Sequence, residues 1–299
     1  MDVSIIIVNY NTKLLTSKCI NSIVENTQGV IYEIILVDNA STDGSQDLFR
    51  NDKRIKFIEN NENLGFGKAN NIGIQIIKGR NVFFLNSDTI LLNNSIKYLS
   101  DYLDENMMVG ACGGNLFNEK MNPTHSYRML FPSIIWEVNF LLGNMIERIL
   151  YKRNREFNYT GRPHEVAYIT GADLMIKKNI LDFVGCFSSA FFMYYEDTDL
   201  CYRIYQNGYK IVSLPTAKIQ HLEGKSSANK ISSKKILMLN KSRLMYYKLH
   251  YTKFYINIAN IIYLFLIISR ILFFYKRSWK YIYWKMNLNV FRVLKILNE

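Results

Sequence analysis

Two short polar runs hold most of the chemistry that this sequence offers. Asn86-Ser87-Asp88 closes an apolar stretch and supplies one certain carboxylate, the ordinary ligand of a hard divalent cation. Tyr195-Glu196-Asp197-Thr198-Asp199 follows the aromatic run Phe191-Phe192-Met193-Tyr194 and opens a stretch with helical spacing at Leu200 and Ile204. Acids at a helix N-terminus complement the macrodipole, so this run can be a cap. Three acids within four residues, behind bulky aromatics, equally suit a reactive group. The residue types alone leave both readings open. Two further polar clusters, Asn9-Tyr10-Asn11-Thr12 and Asp38-Asn39-Ala40-Ser41-Thr42-Asp43-Gly44, also follow apolar runs.

The elements that position these clusters alternate. Residues 3–8 (VSIIIV), 33–37 (EIILV), 55–58 and 82–85 (VFFL) read as buried strands, and 108–111 as another. Helical spacing appears at Leu14, Leu15, Cys19, Ile20, Ile23 and Val24, over 66–77 and over 95–105. Strands separated by helices predict βαβ units and an α/β fold with a mostly parallel sheet. Ligands of such sheets bind at the carboxyl ends of the strands, which is where three of the polar clusters fall.

The two common phosphate cradles are absent. The first strand is followed by NYNTKLL rather than GxGxxG, and no GxxxxGK[ST] occurs. A diphosphate bound at this sheet therefore needs a divalent cation to neutralise it.

Bulk composition bounds the rest. The 299 residues, 49% hydrophobic and 21% charged, suit one large α/β domain with an appendage. The net charge of +12 is unevenly spread: from Lys225 onward 15 Lys and Arg face one acid, while the first 224 residues carry 22 basic and 24 acidic groups. An excess confined to the tail, with no DNA- or RNA-binding motif, argues against a nucleic-acid partner and for an anionic membrane surface. Cys19, Cys112, Cys186 and Cys201 show no CxxC spacing and read as reduced thiols. The amino terminus lacks a basic segment followed by a long apolar one, so the catalytic body is expected in the cytosol.

Seven blocks carry a resemblance: SIIIVNYNT, VDNASTDGS, NENLGFGKANN, FLNSDT, ITGADLMIKK, FFMYYEDTDLCYRIYQNGYKI and the H-x-x-G-x-S run at 221–226. Their order resembles that of family 2 inverting glycosyltransferases of GT-A fold, and most closely the rhamnosyltransferase-like group of bacterial polysaccharide, capsule and O-antigen synthesis. The likeness covers residues 3–250.

It implies a role for each matching residue. Asp38 corresponds to the acid that bonds the pyrimidine ring, with Asn9 and Asn11 beside the same pocket. Asp43 there suits turn chemistry. Gly65, Lys68 and Asn70 match the segment closing over nucleoside and phosphates, although Lys68 also fits a solvated helix position. Asn86 stands where the family's DxD motif has its first acid, so Asp88 is left as the metal carboxylate. His221 matches the histidine that completes the metal site, and the cation implied is Mg²⁺ or Mn²⁺. Asp197 matches the catalytic base, Glu196 a residue orienting it or the acceptor, and Asp199 a cap. Gly171 and Ala172 line the sugar pocket, with Asp173 directly behind them in the ITGAD run.

The implied reaction moves a sugar with inversion from a dTDP- or UDP-linked donor, dTDP-rhamnose leading, to a saccharide acceptor on undecaprenyl diphosphate. The expected division is a catalytic domain over 1–224, with a nucleotide-binding half at 1–114 and an acceptor half at 115–224, then a helical membrane-associating tail at 225–299. Within the tail, 254–275 is apolar but interrupted by Asn257, Asn260, Ser269 and Arg270. In-plane association at the cytoplasmic face of the inner membrane is favoured over a single span. Docking of tail helices on the catalytic domain is the alternative for parts of it. Asn86 supports a different reading of the whole chain, an inactive nucleotide-sugar-binding subunit of a polysaccharide assembly complex.

Overall fold

The computed structural model describes residues 1–222, 233–275 and 278–296. Its first half alternates β1 (Val3–Asn9), α1 (Lys13–Asn26), β2 (Tyr32–Asp38), α2 (Ser45–Phe49), β3 (Ile55–Glu59), α3 (Phe66–Ile74) and β4 (Asn81–Asn86). β3, β2, β1 and β4 lie side by side and parallel, so the chain ends of β1, β2 and β4 open on one edge. β1 is apolar on both faces because both are covered. Val3, Ile5 and Ile7 pack with Cys19, Ile20 and Ile23 of α1, while Ile6 packs with Ala69 and Ile74 of α3.

The second half mixes directions. β5 (Thr89–Leu91), α4 (Ser95–Glu105) and β6 (Val109–Phe117) precede a small ribbon of β7 (Tyr127–Arg128) and β9 (Tyr168–Ile169). Between these two strands lie α5 (Ile134–Leu141), α6 (Met145–Tyr151) and β8 (His164–Glu165). β10 (Asp173–Lys177), α7 (Lys178–Val184), α8 (Glu196–Gln206) and β11 (Lys210–His221) complete the body. β10 runs antiparallel between β4 and β6, a strand that the five-residue run DLMIK did not announce.

β11 reaches well beyond its apolar start. It pairs parallel with β6, shifts register between Ser213 and Lys218, and then pairs antiparallel with β5, His221 opposite Thr89. Gly114 makes room for the shift, since a Cβ there would lie 2.6 Å from the Ala217 carbonyl oxygen. This detour carries His221 to the loop behind β4.

Three helices follow: α9 (Ser233–His250), α10 (Lys253–Phe273) and α11 (Ser278–Ile296). α9 takes the docked alternative. Arg243 and Tyr246 are buried, and Arg243 Nε lies 2.6 Å from Glu137 Oε1 on α5. α10 lies along α5 and is bonded to it near both ends: Ile134 N donates to Tyr255 Oη (2.8 Å), and Arg270 Nη2 donates to Phe140 O (2.9 Å). The domain boundary expected at 224, and Gly224 and Ser226 of the H-x-x-G-x-S run, lie outside the described residues.

Candidate active site

Asp38 ends β2 beside Asn9, which ends β1. The two strands are parallel neighbours in register, so their last side chains meet. Asn9 Nδ2 donates to Asp38 Oδ2 at 2.5 Å, the Ser41 amide to Oδ1 at 2.8 Å, and Gln46 Nε2 to Oδ1 at 3.1 Å. Asn9 is itself held by Thr12 and Thr16, both donating to its Oδ1. Asn11 has φ 54° and accepts from the Thr42 amide, which fastens the β1 loop to the β2 loop. Asp43 serves local structure, accepting from the Lys13 amide and from Ser45.

The loop before α3 is organised by Asn39, which in the sequence is only one member of a polar cluster. Its Oδ1 accepts from Asn60 Nδ2 and the Leu64 amide, and its Nδ2 donates to Asn63 Oδ1. Gly65 is required where it stands. Its φ is +84°, and a Cβ would lie 2.1 Å from the Phe192 carbonyl oxygen. That same oxygen accepts from the Phe66 amide at 3.0 Å. The α3 loop is thereby clasped to the segment leading into Glu196 and Asp197. Lys68 is exposed, and Asn70 is buried with its amide donating to Phe66 O.

The loop behind β4 brings three groups together. His221 Nε2 lies 3.2 Å from Asp88 Oδ1 and 3.4 Å from Asn86 Nδ2. The Leu222 amide donates to Asp88 O, so the end of β11 is tied to the same loop. A carboxylate and an imidazole are both competent ligands for Mn²⁺ or Mg²⁺. Among the described residues no third His, Cys, Asp or Glu joins them. Such a pair fits a cation that takes its remaining oxygens from a diphosphate and water.

Asp197 lies in the first turn of α8. Its Oδ2 accepts from the Gly171 amide at 2.7 Å, and its Oδ1 from the Thr198 amide at 2.6 Å. Gly171 fits closely: a Cβ would meet Phe66 Cε1 at 3.3 Å and Asp197 Oδ2 at 3.4 Å. Ala172 is buried and accepts from the Asn86 amide, so one short segment joins Asp197 to the β4 loop. Tyr194 and Tyr195 both have positive φ, 72° and 69°, directly before Glu196. Two strained non-glycine residues in succession persist only where the surroundings fix them, and such strain gathers at functional sites.

The two adjacent acids differ in environment. Glu196 is 5% exposed, and its Oε2 is buried without a hydrogen-bond partner among the described residues. Burial, and after it the charge of Asp197, hold the Glu196 carboxyl well above the usual range. Burial also raises Asp197, against the amides of Gly171 and Thr198 that favour its charged form. Burial thus raises Glu196 more strongly than Asp197, whose charged form the two amides favour.

Asp199 does more than cap. It accepts from Arg203 at 2.9 Å and lies 2.8 Å from His250 Nε2 at the end of α9. Arg203 in turn donates to the carbonyls of Val184, Gly185 and Cys186. Asp173 is fully buried, takes the Gly114 amide at 2.6 Å, and burial keeps its carboxyl far above the usual range.

The family model described as glycosyl transferase family 2 matches residues 4–198, a stretch that holds Asn9, Asp38, Gly65, Asp88, Gly171, Glu196 and Asp197. The chain belongs to that family. The agreement extends to the fold: a mannosyltransferase, PcManGT of Pyrobaculum calidifontis, solved with GDP-Man and Mn²⁺, superposes with a TM-score of 0.60 at 14% identity, covering 99% of this glycosyltransferase and 87% of that chain. The dTDP-rhamnosyl transferase RfbF of Shigella flexneri is 25% identical over 226 residues, 74% of this chain and 69% of that protein. An N-acetylglucosaminyl-diphospho-decaprenol L-rhamnosyltransferase of Mycobacterium tuberculosis is 26% identical over 210 residues, 65% of this chain and 67% of that protein. Matches to several other relatives span less than half of those proteins' length. The family resemblance read from the seven blocks and the GT-A-like mixed α/β fold both hold for this glycosyltransferase.

Proposed function

We propose that this glycosyltransferase moves rhamnose, with inversion, from dTDP-rhamnose to a hydroxyl of a lipid-linked saccharide in cell-surface polysaccharide synthesis. The observation that carries the reading is the held pair at the start of α8, a buried Glu196 raised by its surroundings beside an Asp197 that two backbone amides aim. The activities for which the two rhamnosyltransferase relatives are named support the choice of donor and of a lipid-linked acceptor.

In this reading Asp38, with Asn9 and Asn11 behind it, receives the pyrimidine ring, whose N3–H finds a carboxylate acceptor. Gly65, Lys68 and Asn70 close over the nucleoside and phosphates, and Asn86 faces the ribose. Gly171 and Ala172 border the sugar. Asp88 and His221 would hold the Mg²⁺ or Mn²⁺, which supplies charge neutralisation for the diphosphate. Asp197 takes the proton of the acceptor hydroxyl as that oxygen attacks the anomeric carbon from the face opposite the diphosphate. Glu196, neutral, orients Asp197 or the acceptor without adding a second negative charge.

Turnover of a nucleotide-sugar panel tests the donor. dTDP-rhamnose should be consumed faster than UDP-hexoses or UDP-N-acetylhexosamines, with Mn²⁺ or Mg²⁺ required. Faster consumption of any UDP-sugar contradicts the rhamnose assignment.

The raised Glu196 carboxyl also has a stability consequence. Between the ordinary glutamate range and its raised folded value, the folded chain binds a proton that the unfolded chain has lost, so stability falls as pH rises. Glu196→Gln removes that contribution. Thermal midpoints at pH 5 and pH 8 should fall less in the variant than in the wild type; an equal or greater fall contradicts it.

The body divides in this proposal into a nucleotide-binding half at 1–114, an acceptor half at 115–224 and a membrane-associating tail at 225–299. α10 is long and apolar enough to span a membrane by length and composition, with only Ala259, Leu266 and Ile267 buried. Its attachment to α5 near both ends supports an in-plane position at the cytoplasmic face of the inner membrane rather than a crossing.

A further inference from the structure

The segment 129–155 gave no reading as sequence, and its charges are sorted in a way that has a physical consequence. It contains two acids, Glu137 and Glu147, and both are 1% exposed. Glu137 pairs with Arg243 of α9, and Glu147 accepts from Asn139 Nδ2 at 2.7 Å, which locks α6 onto α5. With both acids turned inward, the outer side keeps apolar and basic groups. Leu142, Met145, Ile149 and Leu150 are 48%, 52%, 69% and 62% exposed, and Arg148, Lys152 and Arg153 are exposed as well.

This surface continues onto the tail. Arg270 holds the α5–α6 turn through Phe140 O and Leu141 O, and just beyond it Leu272 and Phe273 are 70% and 67% exposed. From residue 253 through 296 there is no acid at all. Clustered, outward-facing large apolar side chains mark an interaction site. Cations among them, with every acid withdrawn, complement an anionic lipid surface.

We propose that α5, α6 and α10 form one membrane-docking face, with α6 and the α5–α6 turn entering the headgroup region of an anionic bilayer beside the tail. The inference rests on the peripheral membrane location proposed above and extends it into the catalytic body. In-plane helices bind through buried apolar area together with basic side chains at headgroup level. Because α5 is also fastened to α9, and α9 to Met193 and Asp199, the bilayer would fix the orientation of the catalytic loop.

Flotation of the full chain with phosphatidylcholine vesicles, with and without phosphatidylglycerol, tests it. Ile149 and Leu150 are exposed, so Ile149→Glu with Leu150→Glu should fold with an unchanged thermal midpoint and bind the anionic vesicles at least about tenfold more weakly. Arg148→Ala with Arg153→Ala should weaken binding about tenfold to the anionic vesicles only. Met107→Glu, at an exposed site behind α4, should bind as wild type. Wild-type binding that the α6 variants leave unchanged overturns this inference while leaving the peripheral location standing. Absence of wild-type binding overturns both. Variants that change the oligomeric state without affecting flotation make the face a protein contact, and overturn it too.

Discussion

Asp197→Asn is expected to lower the rate of sugar transfer about 10²–10⁴-fold, the range that a positioned general base contributes. An acceptor hydroxyl is a poor nucleophile at neutral pH, so the proton must leave as the new bond forms. Asparagine keeps the size of the side chain but cannot accept that proton. One of its two polar ends would also meet an amide donor, because both carboxylate oxygens now accept from backbone N–H groups. Donor binding should change little, since Asp38 and the Asp88–His221 pair are untouched. Glu196→Gln should be the milder variant, because an amide resembles the protonated carboxyl that burial imposes there. Transfer that survives Asp197→Asn undiminished removes Asp197 from the chemistry, whereas donor binding with no transfer by the wild type favours the inactive-subunit reading. Loss in Glu196→Gln with retention in Asp197→Asn reverses the two assignments.

Asp88→Asn is expected to cost about 10²–10³-fold in kcat/KM and to abolish stimulation by Mn²⁺. Asn86 has already replaced one acid of the loop, so Asp88 is its single remaining charge. Neutralising a diphosphate by a bound cation is worth several kcal/mol, and the amide of asparagine is a much weaker ligand. His221→Ala should cost less, since it removes a neutral ligand. A Mn²⁺-dependent thermal shift in the presence of nucleotide diphosphate gives a readout besides turnover. It should be present in the wild type and absent from Asp88→Asn. Wild-type turnover and an unchanged Mn²⁺ response in Asp88→Asn would place the cation elsewhere.

The first half of the fold was legible because its strands are β-branched runs buried on both faces, separated by helices with clear spacing. The meeting of Asn9 with Asp38 followed from the same pattern, since parallel neighbours in register end together. After residue 115 the signals weaken for identifiable reasons. β10 is five residues long and shows only Leu174, Met175 and Ile176 as an apolar run. β11 continues past Pro215 through a register shift, so the strand's apolar start did not reveal that His221 lies opposite Thr89. α9 buries Asn240, Ser242 and Arg243 as well as its tyrosines, and a helix that turns polar groups inward does not announce its docked face by hydrophobic spacing. The contact of Asp199 with His250 spans 51 residues and has no local signature, which is why Asp199 read only as a cap. Gln46 and Asn39 were passed over because their partners lie on neighbouring loops, fixed only once the strands are paired.

Inverting displacement is the central claim, and product stereochemistry tests it most directly. The chain should be incubated with dTDP-rhamnose, Mn²⁺ and a lipid-diphosphate-linked saccharide, and the anomeric configuration of the transferred sugar read by NMR from the one-bond carbon–hydrogen coupling. The account predicts a product of configuration opposite to the donor, formed by wild type and lost in Asp197→Asn. A product that keeps the donor's configuration would contradict direct attack assisted by Asp197.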